Sequence, residues 1–338
     1  MIRAPTPQAA WLHAALAADW WRGSPLRGNG LEWMHFVIVG DDFRLLVNLS
    51  VRREEGAVVA RALVLCWDGK RWVGGLHTPP RDRLELRPGR VDAVFGETSV
   101  RAVPEGYRIH LSPESTGIEA DLLLRPEAAP LVANHLRLPD SGRFHWVSVP
   151  RMIVAEGDLR APFSRSLTGL SAYHDHNWGS FDFGGDFAWE WSFGLPSVAT
   201  DAWSVMALRV SDRARHRTLV AGLAVWRDGE LWRDFRTTEV EFSREGSWRG
   251  EPHRVPDIEV GNHLLVASVP ELAKWRGRSN EDWLEVVGST DGAAQLLIPA
   301  AARLVRVTEC PTRLRVRGRL RGQNLDCELN GMLEVVDA

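Results

Sequence analysis

From Val37 onward the chain is a succession of short runs in which apolar and polar residues alternate, or apolar residues continue unbroken, cut by Gly, Asp or Pro. Such runs predict strands, because successive side chains of an extended backbone point to opposite faces. They fall at 37–39, 43–51, 58–67, 71–76, 107–111 and 118–124, and then at 187–193, 203–210, 218–226, 237–242, 283–289, 304–307, 314–320 and 325–336. Asp68-Gly69 and Asp228-Gly229, each close to tryptophan, predict tight hairpins and hint at two related halves. Helical spacing is confined to an Ala-rich run over 8–22, stopped by Gly23, and a short stretch over 268–276. The polar segment 158–168, with Pro162, suits a boundary. The expectation is an all-β chain of two barrel or sandwich domains, 1–166 and 167–338, with a few short helices.

Composition narrows the function. A net charge of −3 over 338 residues gives no basic footprint for nucleic acid or an anionic bilayer. Cys66, Cys310 and Cys327 are scattered and odd in number, which suggests a reducing compartment and no zinc or disulfide framework. No run has the length of a transmembrane helix, and the N-terminus lacks the basic start of a signal peptide, so a cytoplasmic monomer or homodimer is expected. Peripheral membrane contact through Trp11, Trp20 and Trp21 is the alternative use of the first helix. Sixteen tryptophans against two tyrosines point either to core bulk or to an apolar, indole-lined cavity.

The densest chemistry lies at Ser171–Gly179, which reads Ser-Ala-Tyr-His-Asp-His-Asn-Trp-Gly. On a strand, His174, His176 and Trp178 share one face and Tyr173, Asp175 and Asn177 the other. Neither set is an ordinary core face, and burying so many polar groups requires partners or a ligand. A metal would need more than this His-x-His pair, and neither Glu190 nor His216 completes a common ligand spacing. Nucleophile elbows, phosphate loops and dinucleotide fingerprints are absent, so no cofactor is expected. Acid chemistry on an apolar substrate fits better. A carboxylic acid kept neutral by burial can protonate a carbon–carbon double bond, and indole faces can stabilise the resulting cation. Asp175 is the first candidate acid, followed by Asp182, Asp186 and Glu190; its structural alternative is a pairing with His174 or His176. Trp189 and Trp191 share a face with Glu190 opposite. In the first strong strand Glu32 and Met34 share one face, Trp33 and His35 the other.

The string Tyr173–Gly179 resembles the hallmark of the lipocalin-like superfamily that holds carotenoid 1,2-hydratases (hydroxyneurosporene synthases) and AttH-type proteins. Glu32-Trp33-Met34-His35 is similar to the opening of that group's first strand, and Trp189-Glu190-Trp191 sits where the family has an aromatic strand. Ala172, Met34 and His35 depart from the family's residues, as does 187–191, which leaves the substrate open among carotenoids, terpenoids and polyketides. The resemblance implies two tandem lipocalin/calycin-like β domains that hold a small hydrophobic ligand without metal or redox cofactor. It implies that Asp175 donates a proton, that His174 or His176 positions it or a water, and that Tyr173 and Trp178 line the pocket. Asn177, Trp189, Glu190, Trp191, Glu32, Trp33 and His35 complete the candidate set. The expected activity is hydration or cyclisation of an apolar polyene. A pericyclase of the Diels–Alderase type, related through calycin-like proteins, and a non-catalytic carrier are the alternatives.

Overall fold

The computed structural model describes residues 16–23, 30–54, 56–137, 142–181, 187–196, 203–255, 269–300 and 303–337. Almost all of them are in two curled, antiparallel sheets, the architecture of tandem lipocalin-like domains. The first sheet holds β1 (Gly30–Gly40), β2 (Phe43–Glu54), β3 (Ala57–Trp67), β4 (Trp72–His77), β5 (Leu84–Leu86), β6 (Asp92–Phe95), β7 (Thr98–Val103), β8 (Gly106–Leu111), β9 (Glu119–Pro126), β10 (Leu131–Arg137), β11 (Arg143–Arg160), β12 (Ser164–Ser166) and β13 (Ser171–Ser180). Its order is β4-β3-β2-β1-β13-β11-β9-β8-β7-β6-β5, so β13 is central, between the first strand and the longest one.

The second sheet holds β14 (Ala188–Leu195), β15 (Trp203–Ser211), β16 (Thr218–Arg227), β17 (Glu230–Arg236), β18 (Val240–Glu245), β19 (His253–Val255), β20 (Leu272–Ser279), β21 (Asp282–Thr290), β22 (Ala294–Ala300), β23 (Arg303–Leu320) and β24 (Gln323–Asp337). Its order is β17-β16-β15-β14-β24-β23-β21-β20-β18, with a short parallel pair, β19 and β22, off that path.

The chain divides into two compact units after Phe181 and not near 166. The boundary moves because β13 is hydrogen-bonded to β11, which commits the motif strand to the first unit. The second unit takes in Val39–Arg44 and Trp67–Trp72 besides Asp182–Ala338. Arg44 anchors the earlier of these turns. Its guanidinium is fully buried and donates to the carbonyls of Gly331 (2.9 Å), Thr312 (3.2 Å), Phe43 (2.7 Å) and Gly40. Burial lowers its pKa to about 10, which still leaves it a cation. Carbonyl acceptors, the charges of Asp291, Asp41 and Asp42 and the Trp67 ring at 5.8 Å together compensate that charge, an arrangement tolerable inside a protein because several donors are satisfied together.

The two Asp-Gly turns differ. Asp228 and Gly229 both have positive φ (52° and 80°), the backbone of a two-residue type I′ hairpin between β16 and β17. Asp68-Gly69 opens a longer turn, in which the Asp68 carboxylate accepts from the backbone N–H of Lys70 (3.0 Å) and Arg71 (2.9 Å). The helix expected over 268–276 is β20 instead. Ala273, Trp275 and Gly277 are buried while Arg276 and Arg278 are exposed, a period of two that short apolar spacing had concealed. Most of the helix expected over 8–22, with Trp11, lies outside the described residues; 16–22 form a closing turn (Asp19 N–H to Leu16 O, 3.1 Å) and an irregular run. Among the described residues no helix is long and apolar enough to cross a membrane.

Tryptophan is mostly core. Trp21, Trp226 and Trp275 are fully buried, and Trp275 sits in the second unit's core with Phe235, Val286 and Leu314. Each such side chain contributes roughly 2–3 kcal/mol by leaving water. Trp283 is exposed (42 %), as are Leu231 and Val132.

Candidate functional site

Nine of the ten residues of β13 are buried, and its two faces hold different chemistry. On one, His174 and His176 meet Asp19, which arrives from the irregular segment before β1. His174 Nε2 lies 2.9 Å from Asp19 Oδ2, and His176 Nδ1 lies 2.7 Å from Asp19 Oδ1. The remaining ring nitrogens face His35 O (3.0 Å) and Glu32 Oε1 (2.9 Å). Tyr107 adds its hydroxyl to Asp19 Oδ2 at 2.7 Å, and the backbone N–H of Arg22 donates to Glu32 Oε1 at 2.7 Å. Phe36 stacks on His174 at 4.0 Å between centroids. The Arg22 guanidinium lies 3.4 Å above the centroid of Trp178.

Every imidazole nitrogen in this network faces an oxygen, so whichever nitrogen carries a proton has an acceptor. Burial alone would raise Asp19, but the charge and hydrogen bonds of two imidazoles hold its carboxyl well below the usual range. Burial lowers His176, yet bonds to Asp19 and Glu32 raise it above the ordinary histidine value. Burial and the Asp19 charge push the Tyr107 phenol far up. All four ring nitrogens are engaged, and the side chains of His174, His176, Asp19 and Glu32 are fully buried. The network clamps the strand and positions its other face.

That other face carries Tyr173, Asp175 and Asn177. The Asn177 amide donates to Asp175 Oδ1, Ser148 is the cross-strand partner of Asp175, and the Tyr173 hydroxyl is 3.4 Å from Ser148 Oγ. Trp146 stands opposite Asn177 in register. Alternation along β1 turns Trp33 and His35 to this side, away from Glu32 and Phe36. Trp33 joins an aromatic group with Phe144 (6.1 Å) and Phe181 (6.2 Å). His35 Nδ1 is 3.3 Å from Asn48 Nδ2, and burial with the charge of His174 pushes its pKa down to about 3. Gly179 closes the motif for a steric reason: a Cβ there would lie 2.0 Å from the carbonyl oxygen of Arg143.

The structure therefore separates what the sequence placed side by side. Asp175 does not pair with His174 or His176, because strand geometry sends it to the opposite face. Trp178 belongs with Arg22 and the histidines, and stacks on His145 at 5.4 Å, so it is no neighbour of Tyr173. Asp182 and Asp186 lie outside the described residues.

In the second unit, Trp189, Trp191 and Phe193 share a face of β14 on which Glu334 and Met332 of β24 are register partners of Trp191 and Phe193. Glu309 of β23 stands opposite Glu334 and is hydrogen-bonded to it. The Trp189 indole N–H donates to Glu334 Oε1. Burial raises the Glu334 pKa above the ordinary carboxyl value. Two carboxyl groups bonded to one another need at least one proton between them. Glu190 faces away from the indoles, as alternation along the strand expects, and is paired with arginines. His216 is an exposed loop residue.

Sequence reasoning missed Asp19, Tyr107, Glu309 and Glu334. Glu334 did carry a signal, a lone carboxylate inside Met-Leu-Glu-Val-Val.

The pH dependence of stability follows. His35 has a folded pKa near 3 against about 6.5 unfolded, so the unfolded chain binds a proton between those values that the folded chain does not. Stability is expected to fall as pH drops from about 6.5 toward 3, by up to about 1.4 kcal/mol per unit. His176, raised when folded, adds stability at acid and neutral pH that is lost as pH climbs through its raised value. Melting temperature against pH should show both limbs, and His35→Gln should flatten the acid one.

Solved structures share this architecture. An AttH candidate from Nitrosomonas europaea superimposes with a TM-score of 0.62 at 14% identity, covering 90% of this chain and 91% of that one. Kievitone hydratase from Nectria haematococca gives 0.61 at 12%, covering 94% and 91%. CghA with Sch210972 gives 0.63 at 12%, covering 91% and 88%. The fold is theirs. At these identities the likeness is one of fold, and it agrees with the lipocalin-like architecture expected from Tyr173–Gly179. No family model and no curated protein matches the sequence.

Proposed function

We propose that the chain is a cofactor-independent hydratase or cyclase that protonates a carbon–carbon double bond of an apolar polyene. The observation that carries this reading is the Glu309–Glu334 pair, a carboxyl held protonated on a face built from Trp189, Trp191 and Phe193. Protonating an isolated alkene needs a neutral acid out of water, and the cation formed needs π faces. Asp175, bonded to the Asn177 amide on β13, is the alternative acid. That a protein of the same fold is named a hydratase supports the class of reaction.

A pericyclase would use the same pair differently, as a hydrogen-bond donor to a substrate carbonyl, and gain mainly from preorganisation. Comparing the metabolites of a producing strain with and without the gene, by exact mass, tests the reading. A lost product heavier by one water than the accumulating precursor is expected for a hydratase, and an isomeric product for a cyclase or pericyclase. Unchanged small molecules would sink the catalytic reading and leave a carrier.

A further inference from the structure

Trp189 and Glu334 do not stand opposite one another. In register Trp189 faces Val336 and Trp191 faces Glu334, so the Trp189 indole reaches diagonally across β14 and β24 to give its N–H to Glu334 Oε1. It is held there. Trp189 is buried, and the fully buried Phe187 stacks on it with centroids 5.2 Å apart and planes at 25°. An indole nitrogen can only donate, so Glu334 Oε1 must accept. A donor aimed at a carboxyl favours its ionised form. Burial raises Glu334, and this bond pulls it back down. Glu309, its register partner on β23, is the carboxyl with which it shares a proton. Cys310, Arg306 and Asp337, the nearest other titratable groups on β23 and β24, alternate to the opposite face.

We infer that Trp189 is a positioning residue: its N–H makes Glu334 the accepting carboxyl and biases the shared proton toward Glu309. This rests on the protonation reading above, in which Glu309 is then the acid and Glu334 the group that orients it. On transfer the Glu309 O–H bond breaks and a C–H bond forms from the electron pair of the double bond. The proton given up when water adds, or when the cation loses a neighbouring hydrogen, returns to Glu309.

The test is infrared titration of the intact chain, reading the pH midpoint at which the pair's protonated carboxyl band disappears. That band is identified by its loss in a chain carrying both Glu309→Gln and Glu334→Gln. In the Glu309→Gln chain only Glu334 of the pair remains, and adding Trp189→Phe should raise its midpoint by about one unit or more, the weight of one hydrogen bond to a charged group. In the Glu334→Gln chain only Glu309 remains, and adding Trp189→Phe should leave its midpoint where it was. Trp275→Phe, which takes a buried indole from the same unit's core, should move neither. Phe187→Leu lets the indole turn and should shift the Glu334 midpoint the same way by less, a second measure should Trp189→Phe fail to fold. A Glu334 midpoint that neither variant moves, or equal shifts of both carboxyls, overturns the inference whatever the rates show. The expected shifts in a protein whose Glu334→Gln form keeps its rate would instead sink the protonation reading and leave the bias of the proton standing.

Discussion

Replacing Glu334 by glutamine is expected to reduce product formation by roughly 10²–10⁴-fold, the usual contribution of a positioned general acid, with the fold intact. Glutamine keeps the shape. Its carbonyl accepts the Trp189 indole N–H and its amide donates to Glu309, so the local bonds survive while the transferable proton is gone. Glu309→Gln should behave similarly, since one carboxyl must hold the proton that the other polarises. Asp175→Asn is the informative comparison: a larger loss there than at Glu334 would move the acid to β13. Rates measured on purified variants with matching circular dichroism decide the matter. A Glu334→Gln enzyme that keeps most of its rate would sink protonation chemistry and favour the pericyclase, because an amide still donates a hydrogen bond to a carbonyl.

The largest effect on stability is expected at Asp19. Its carboxylate accepts from His174, His176 and Tyr107, all within 2.7–2.9 Å. Asparagine removes the charge and turns an NH₂ group toward an imidazole N–H, leaving buried donors facing one another. Breaking a buried charged pair from one side costs about 3–5 kcal/mol, so Asp19→Asn should lower the urea midpoint substantially. His176 would be pushed toward the neutral form, and the alkaline limb of the stability profile should shift to lower pH. A change below about 1 kcal/mol, the ordinary size of a surface-pair loss, would mean that the network is not the clamp on β13 described above.

How far the sequence foretold this can be read residue by residue. The strands were legible because their alternation is local, and the division of β13 into a histidine face and an Asp175 face follows from the same rule. What alternation cannot supply is the partner of each face. His174 and Asp19 are 155 positions apart, and Glu309 meets Glu334 only through the register of β23 on β24. Proximity in the chain therefore suggested that Asp175 served the histidines next to it, whereas the acid that does so lies before the first strand. The stretch 268–276 was misread for a related reason: a short apolar run fits either period, and only its neighbours β18 and β21 make it a strand.

The position of β13 also bears on synthesis. β1 emerges from the ribosome early, yet one of its two edges is filled only when 171–180 arrive. Until then a strand of eleven residues, every one buried in the finished protein, presents unpaired N–H and C=O groups beside a greasy surface. Long-range pairing of this kind slows folding and exposes the nascent chain to neighbours. Yield in a foreign host should depend on translation speed and chaperone supply more than on any property of the completed protein.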